Sequence, residues 1–110
     1  MTTPTNDLTR AILDYINGIG GRAWRNNTGA RQMNYERKDG SRGRSFLRFG
    51  EKGSGDVFAV HRGTFYSIEV KTGRDTLSDD QVRWMDEINA RGGVAFEARS
   101  IDTVMERIPQ

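Results

Sequence analysis

The chain has 110 residues, 35% hydrophobic and 29% charged, with a formal net charge of +2. That length suits one domain around a modest core, and the composition fits an ordered, rather polar protein. With no cysteine and only one histidine, His61, the sequence excludes a disulfide framework, a thiolate zinc site and a multi-histidine metal cluster.

From the N-terminus, NDLTRAILDYINGIGG reads as a helix. Leu8, Ile12, Tyr15, Ile16 and Ile19 share one face of a 3.6-residue period, Thr5 or Asn6 serves as cap, and Gly20-Gly21 stop it. RAWRNNTG is expected to be a short strand ending in a polar turn. Residues 30 to 45 lack clean periodicity and contain Asp39-Gly40, a hairpin-turn signal, so a mobile basic loop or hairpin is expected over about 30–48. FLRFG is expected to return to the sheet as a strand. DVFAV and TFYSIEVK, joined by HRG, read as an antiparallel hairpin. LSDDQVRWMDEINARGG is a second helix, capped by Ser78 with Gln81 three residues on and ended by Gly92-Gly93. VAFEA is a strand, and SIDTVMERI a closing helix with Ile101, Val104, Met105 and Ile108 inward. The order predicts a single α/β unit over 1–110, a small mixed sheet flanked by helices. No run is apolar enough to span a membrane and no signal-peptide pattern is seen, so the expected location is cytoplasmic.

Charge is unevenly placed. Residues 22 to 52 hold nine basic side chains against three acids, whereas the chain from Gly53 onward holds seven against ten. A clustered cationic segment fits a polyanionic partner such as nucleic acid, and fits a solvated loop equally well.

The TFYSIEVK hairpin carries the sharper signal. If His61 to Thr64 form its loop, Phe58 faces Ser67 and Asp56 faces Glu69, with Lys71 on the same polar face. Val57, Ala59, Tyr66, Ile68 and Val70 then point to the core. A three-residue loop would separate the two acids. Two adjacent carboxylates repel each other unless a hard cation lies between them, and Mg²⁺ takes oxygen ligands of this kind. Such an ion activates water beside a phosphoryl group, and Lys71 adds positive charge for the transition state. The implied chemistry is metal-assisted phosphodiester hydrolysis, on a substrate held by the basic segment.

The runs GSGD (53–56), FYSIEVKTG (65–73), LSDDQVRW (77–84) and GGVAFEARS (92–100), preceded by RAILDYI (10–16) and WRNNTG (24–29), resemble the VRR-NUC domain of the PD-(D/E)XK nuclease superfamily. The resemblance covers nearly the whole chain apart from residues 31–45. It implies an αβββαβ restriction-endonuclease-like core, dependence on Mg²⁺ with Mn²⁺ as substitute, and endonuclease activity. Small stand-alone members, often phage-encoded, resemble Holliday-junction resolvases and act as homodimers on branched DNA. By resemblance, Asp56, Glu69 and the backbone carbonyl of Val70 hold the metal, Lys71 is the superfamily's lysine, and Gln81 faces the site from the following helix. Family members often carry a glutamate early in the first helix. Here that stretch is Thr5-Asn6-Asp7, so either Asp7 substitutes with a shorter reach or the ligand is missing.

Contacts to DNA are expected from Arg25, Asn26, Asn27, Thr28, Arg31, Lys38, Arg42, Arg44, Arg48, Lys52 and Ser54. Trp24 and Trp84 read as packing residues rather than base-stacking platforms, and His61 as an exposed turn residue. Two other readings stay open at this stage: a nucleic-acid-binding module without cleavage, and a nuclease indifferent to DNA structure.

Overall fold

The computed structural model describes residues 2–27 and 29–110, without the side chains of 29–33 and 45–49. Helix α1 (Pro4–Gly18) leads into strand β1 (Arg22–Arg25), followed by β2 (Gly29–Glu36), β3 (Arg42–Phe49), β4 (Val57–His61) and β5 (Thr64–Val70). Helix α2 (Asp79–Ala90), strand β6 (Val94–Ala98) and helix α3 (Ile101–Arg107) complete the chain. The main sheet has the order β1-β4-β5-β6. Its first three strands pair antiparallel, and β6 joins β5 in parallel after the α2 crossover. This is the αβββαβ order that the sequence resemblance implies, with one hairpin set into it.

That hairpin is β2–β3. Its eight-residue strands pair with each other in full register from Gly29↔Phe49 to Glu36↔Arg42. Of the loop or hairpin expected here the structure has the hairpin, and FLRFG does not return to the main sheet but lies in β3. The ribbon packs on no other element among the described residues. It draws the molecule out to 60 × 38 × 28 Å, with a radius of gyration of 17.1 Å, where a compact chain of this length has roughly 13 Å.

The core lies between the sheet and the α1/α3 layer. Ile12 and Ile16 of α1, Val57 and Ala59 of β4, Ile68 and Val70 of β5, Phe96 and Ala98 of β6, and Val104 and Ile108 are all buried. Full burial of each Ile or Val contributes about 1.5–3 kcal/mol. The Tyr15 hydroxyl donates to the Ile108 carbonyl at 2.7 Å, closing α1 onto the end of α3. Met105, expected inward, is 44% exposed, because the seven residues of α3 turn only part of one face to the core. Helix α1 starts earlier than its polar residues suggest. Pro4 occupies the first turn, where a missing N–H costs nothing, and Thr3 rather than Thr5 or Asn6 is the cap, accepting from the Asn6 N–H at 3.1 Å.

The β4–β5 turn is tighter than the loop expected, but it preserves the register. Arg62 and Gly63 both have positive φ, 52° and 80°, as a two-residue hairpin turn requires. Val60 therefore pairs with Phe65, and Phe58 with Ser67. One expectation about a polar side chain is corrected here. His61 is only 6% exposed, and neither ring nitrogen finds a hydrogen-bond partner; it follows Val57 and Ala59 onto the core face. The opposite face of β5 is not wet, since α2 packs on β5 and β6 and leaves Ser67 and Glu69 at 0% and 3% exposure. Buried polar groups there need partners, and Ser67 has one in the Trp84 indole N–H at 2.9 Å.

Candidate active site

Asp56 is fixed before its side chain is considered. Its N–H donates to the Ile68 carbonyl and its own carbonyl accepts from the Asn26 N–H, both at 2.9 Å. It thus lengthens the β1–β4 pairing by one residue, opposite Asn26. Its N–H, however, meets the carbonyl of Ile68, already the partner of Val57, so the strand bulges at Asp56 instead of pairing it with Glu69, and the two carboxyls remain neighbours. The Val70 N–H then donates to Asp56 Oδ2 at 2.8 Å. One carboxylate oxygen is held by the backbone of the strand that carries Glu69.

Glu69 is held from two sides. Gln81 Nε2 donates to Glu69 Oε1 at 2.7 Å, and Lys71 Nζ lies 3.7 Å from the same oxygen. The other oxygen, Oε2, is buried with no partner. Burial and the neighbouring Asp56 charge push the Glu69 carboxyl up to about 8, with Lys71 pulling the other way. A buried carboxyl beside a second acid, with one oxygen unsatisfied, fits a site that receives a cation. Asp56, Glu69 and the Val70 carbonyl would hold a divalent ion of the Mg²⁺ class. Asp7 is exposed at the start of α1, where the Thr2 hydroxyl donates to it. No group of three or more His, Asp or Glu side chains gathers among the described residues, so Asp7 does not make a triad with the strand acids.

Gln81 takes both of the roles that its position offered. Its Oε1 accepts from the Ser78 N–H at 2.8 Å, completing a capping box, while its amide nitrogen reaches Glu69. An amide has one acceptor end and one donor end. Capping the helix therefore turns the NH₂ toward the carboxylate. Gln81→Glu retains the cap but cannot donate to Glu69. Activity is expected to fall at least tenfold in a cleavage assay, with a melting temperature within a few degrees of wild type.

The residues expected at DNA fall into three groups. Arg25, Asn27, Lys38, Arg42 and Arg44 are exposed. Lys52 is also exposed, and pairs with Asp80 at 3.3 Å. Asn26 and Ser54 have a different job: Asn26 Nδ2 donates to Ser54 Oγ at 2.8 Å and to the Gly55 carbonyl at 2.9 Å. The Ser54 hydroxyl donates to the Glu51 carbonyl at 2.7 Å, and the residue is 6% exposed. Together they clamp the base of the β2–β3 ribbon beside Asp56, and the Ser54 hydroxyl is engaged within the chain. Thr28 and the side chains of Arg31 and Arg48 lie outside the described residues.

Three supporting contacts escaped the sequence reading. The Thr5 and Thr72 hydroxyls meet at 2.6 Å, tying α1 to the chain just past Lys71. The Arg99 guanidinium pairs with Glu97 at 2.7 Å and donates to the Gly73 and Asp75 carbonyls, pinning the segment between the site and α2. The third is the Trp84–Ser67 bond. It was foreshadowed only by a tryptophan whose N–H needs a partner and a serine set into an apolar strand.

The model of the VRR-NUC domain family matches residues 6–102, a span running from the first turn of α1 into α3. No curated protein matches the chain.

Proposed function

The chain belongs to the VRR-NUC family of the PD-(D/E)XK nuclease superfamily, and from that premise we propose that it is a metal-dependent DNA endonuclease using Asp56, Glu69, Lys71 and Gln81. The observation that carries the site is the Glu69 carboxyl, buried against Asp56 with one oxygen unpartnered.

A divalent ion, Mg²⁺ or Mn²⁺, when bound would lower the pKa of a water and offset charge on the phosphoryl oxygens. The protein's own part is positioning. The Val70 N–H fixes Asp56, Gln81 fixes the Glu69 oxygen nearest Lys71, and Lys71 keeps an ammonium beside the reacting phosphate. Water oxygen attacks phosphorus, the bond to the leaving strand's oxygen breaks, and that oxygen takes up a proton. Arg25, Lys38, Arg42 and Arg44 supply the salt-sensitive hold on the backbone.

The narrower part of the proposal is a preference for branched DNA, cut by a homodimer, since symmetric strands need two sites. The ribbon supports it. A lone two-stranded hairpin is marginal in water, so a projecting cationic arm is best braced by an arm of the DNA. The test is cleavage of a labelled four-way junction and its matched linear duplex with Mg²⁺, Mn²⁺ or chelator. Paired symmetric nicks in the junction alone, lost with chelator, are expected. Equal cutting of both substrates would retain the nuclease and remove the junction preference. Tight binding without cutting by either metal would leave only a binding module.

A further inference from the structure

Resting on that nuclease reading, we propose that Trp24 is a stacking platform for an unpaired nucleobase of the strand that runs past Asp56 and Glu69. Trp24 pairs in register with Phe58, and Phe58 with Ser67. One step further along β1 and β4 stand Asn26 and Asp56, joined backbone to backbone at 2.9 Å, and Glu69 lies two residues beyond Ser67 on β5, a step of roughly 7 Å along a strand. Helix α2 packs on β5 and β6, reaches β4 through Trp84 on Phe58, and makes no contact with β1 among the described residues. Trp24 is 42% exposed there, beside Val60, also 42% exposed.

The indole is braced. It meets Phe58 edge-on, with ring centroids 6.4 Å apart, and Phe58 stacks on Trp84 at 6.0 Å. Trp84 is itself anchored by its N–H bond to Ser67. A ring held this way loses little freedom when a base settles on it. Arg22, two residues before Trp24 on β1, shares its face, is exposed, and its guanidinium pairs with no described residue. It would meet a phosphate beside a stacked base.

Only an unpaired base fits. In a duplex both faces of each base are covered by neighbours, so an indole finds no π-surface to meet, and one N–H cannot read a groove. A second copy of the chain is disfavoured by the same arginine. A two-fold contact over this patch would bring Arg22 against its own copy.

The test is binding, measured in chelator so that nothing is cut. Wild type, Trp24→Ala and Trp24→Phe are titrated by fluorescence anisotropy against a labelled duplex with a single-stranded tail and the same duplex fully paired. Trp24→Ala should weaken the tailed duplex roughly tenfold and the paired one less than about twofold, with Phe recovering most of the loss. Abasic residues in the tail should weaken wild type and leave Trp24→Ala unchanged. Equal losses on both DNAs, or none, would overturn the proposal. So would a change in self-association by analytical ultracentrifugation with DNA affinity intact, which would assign the patch to a second copy. Discrimination without any cleavage would keep the platform and remove the nuclease reading. Failure of wild type to bind either DNA would remove both.

Discussion

Asp56→Asn is expected to abolish cleavage while leaving the protein folded and able to bind DNA. Asparagine keeps an oxygen that can accept from the Val70 N–H, the bond seen at 2.8 Å, so the strand geometry survives. What it removes is the negative charge that would hold a cation against the substrate phosphate. Losing a metal's contribution costs several kcal/mol, so the rate should fall at least about 10³-fold. Lys71→Ala removes the ammonium 3.7 Å from Glu69 and should cost about 10²–10³-fold. Single-turnover cleavage beside anisotropy binding separates these losses from weaker substrate capture. A variant at Asp56 retaining a tenth of wild-type activity would make the acids decoration on a strand.

The second large effect concerns pH and metal together. The Glu69 carboxyl is pushed up to about 8 by burial and by Asp56, whereas in the unfolded chain it titrates near its ordinary value. Between about 4.5 and 8 the folded protein therefore binds the extra proton. Stability of the metal-free protein must then fall as pH rises through that window. Glu69→Gln has no such proton to lose. In chelator, wild type should drop relative to Glu69→Gln by at least about 4 °C in melting temperature from pH 5.5 to 8.5, since each pKa unit is worth about 1.4 kcal/mol. Added Mg²⁺ should reverse the trend. It binds the ionised carboxyl, so its stabilisation of wild type should grow with pH and be absent in Glu69→Gln. Parallel pH curves for the two proteins would show that Glu69 is not the strained group of the site.

The elements that were readable in the sequence bury a periodic face. Helix α1 shows Ile12 and Ile16 in step, and the β4–β5 hairpin shows Val57, Ala59, Ile68 and Val70 in alternation. The register followed from Val57↔Ile68 to His61↔Thr64, whereas the bulge that sets Asp56 beside Glu69 without pairing them left no trace in the alternation. The β2–β3 ribbon packs on no other described element. Such backbone pairing leaves no hydrophobic period to read, so hairpin and loop stayed open and only Asp39-Gly40 pointed to the turn. Alternation also cannot tell a wet face from one covered by a helix with polar partners. The burial of Ser67 and Glu69 was not legible because Trp84 and Gln81, which cover them, lie 17 and 12 residues away. His61 was misplaced for a related reason. It sits at the edge of a turn in sequence, yet it still takes the inward step set by Val57 and Ala59.

The clamp of Asn26, Ser54 and Gly55 has a consequence for how such a molecule changes over generations. It fastens the two ends of the ribbon together where β1 and β4 already lie side by side. Once ends are joined, doubling the chain between them costs only about 0.6 kcal/mol. Insertions and deletions beyond the clamp are then nearly silent to the sheet that holds the acids. Reach and chemistry can be inherited separately, the first free to drift in length and charge, the second kept within a fraction of an ångström.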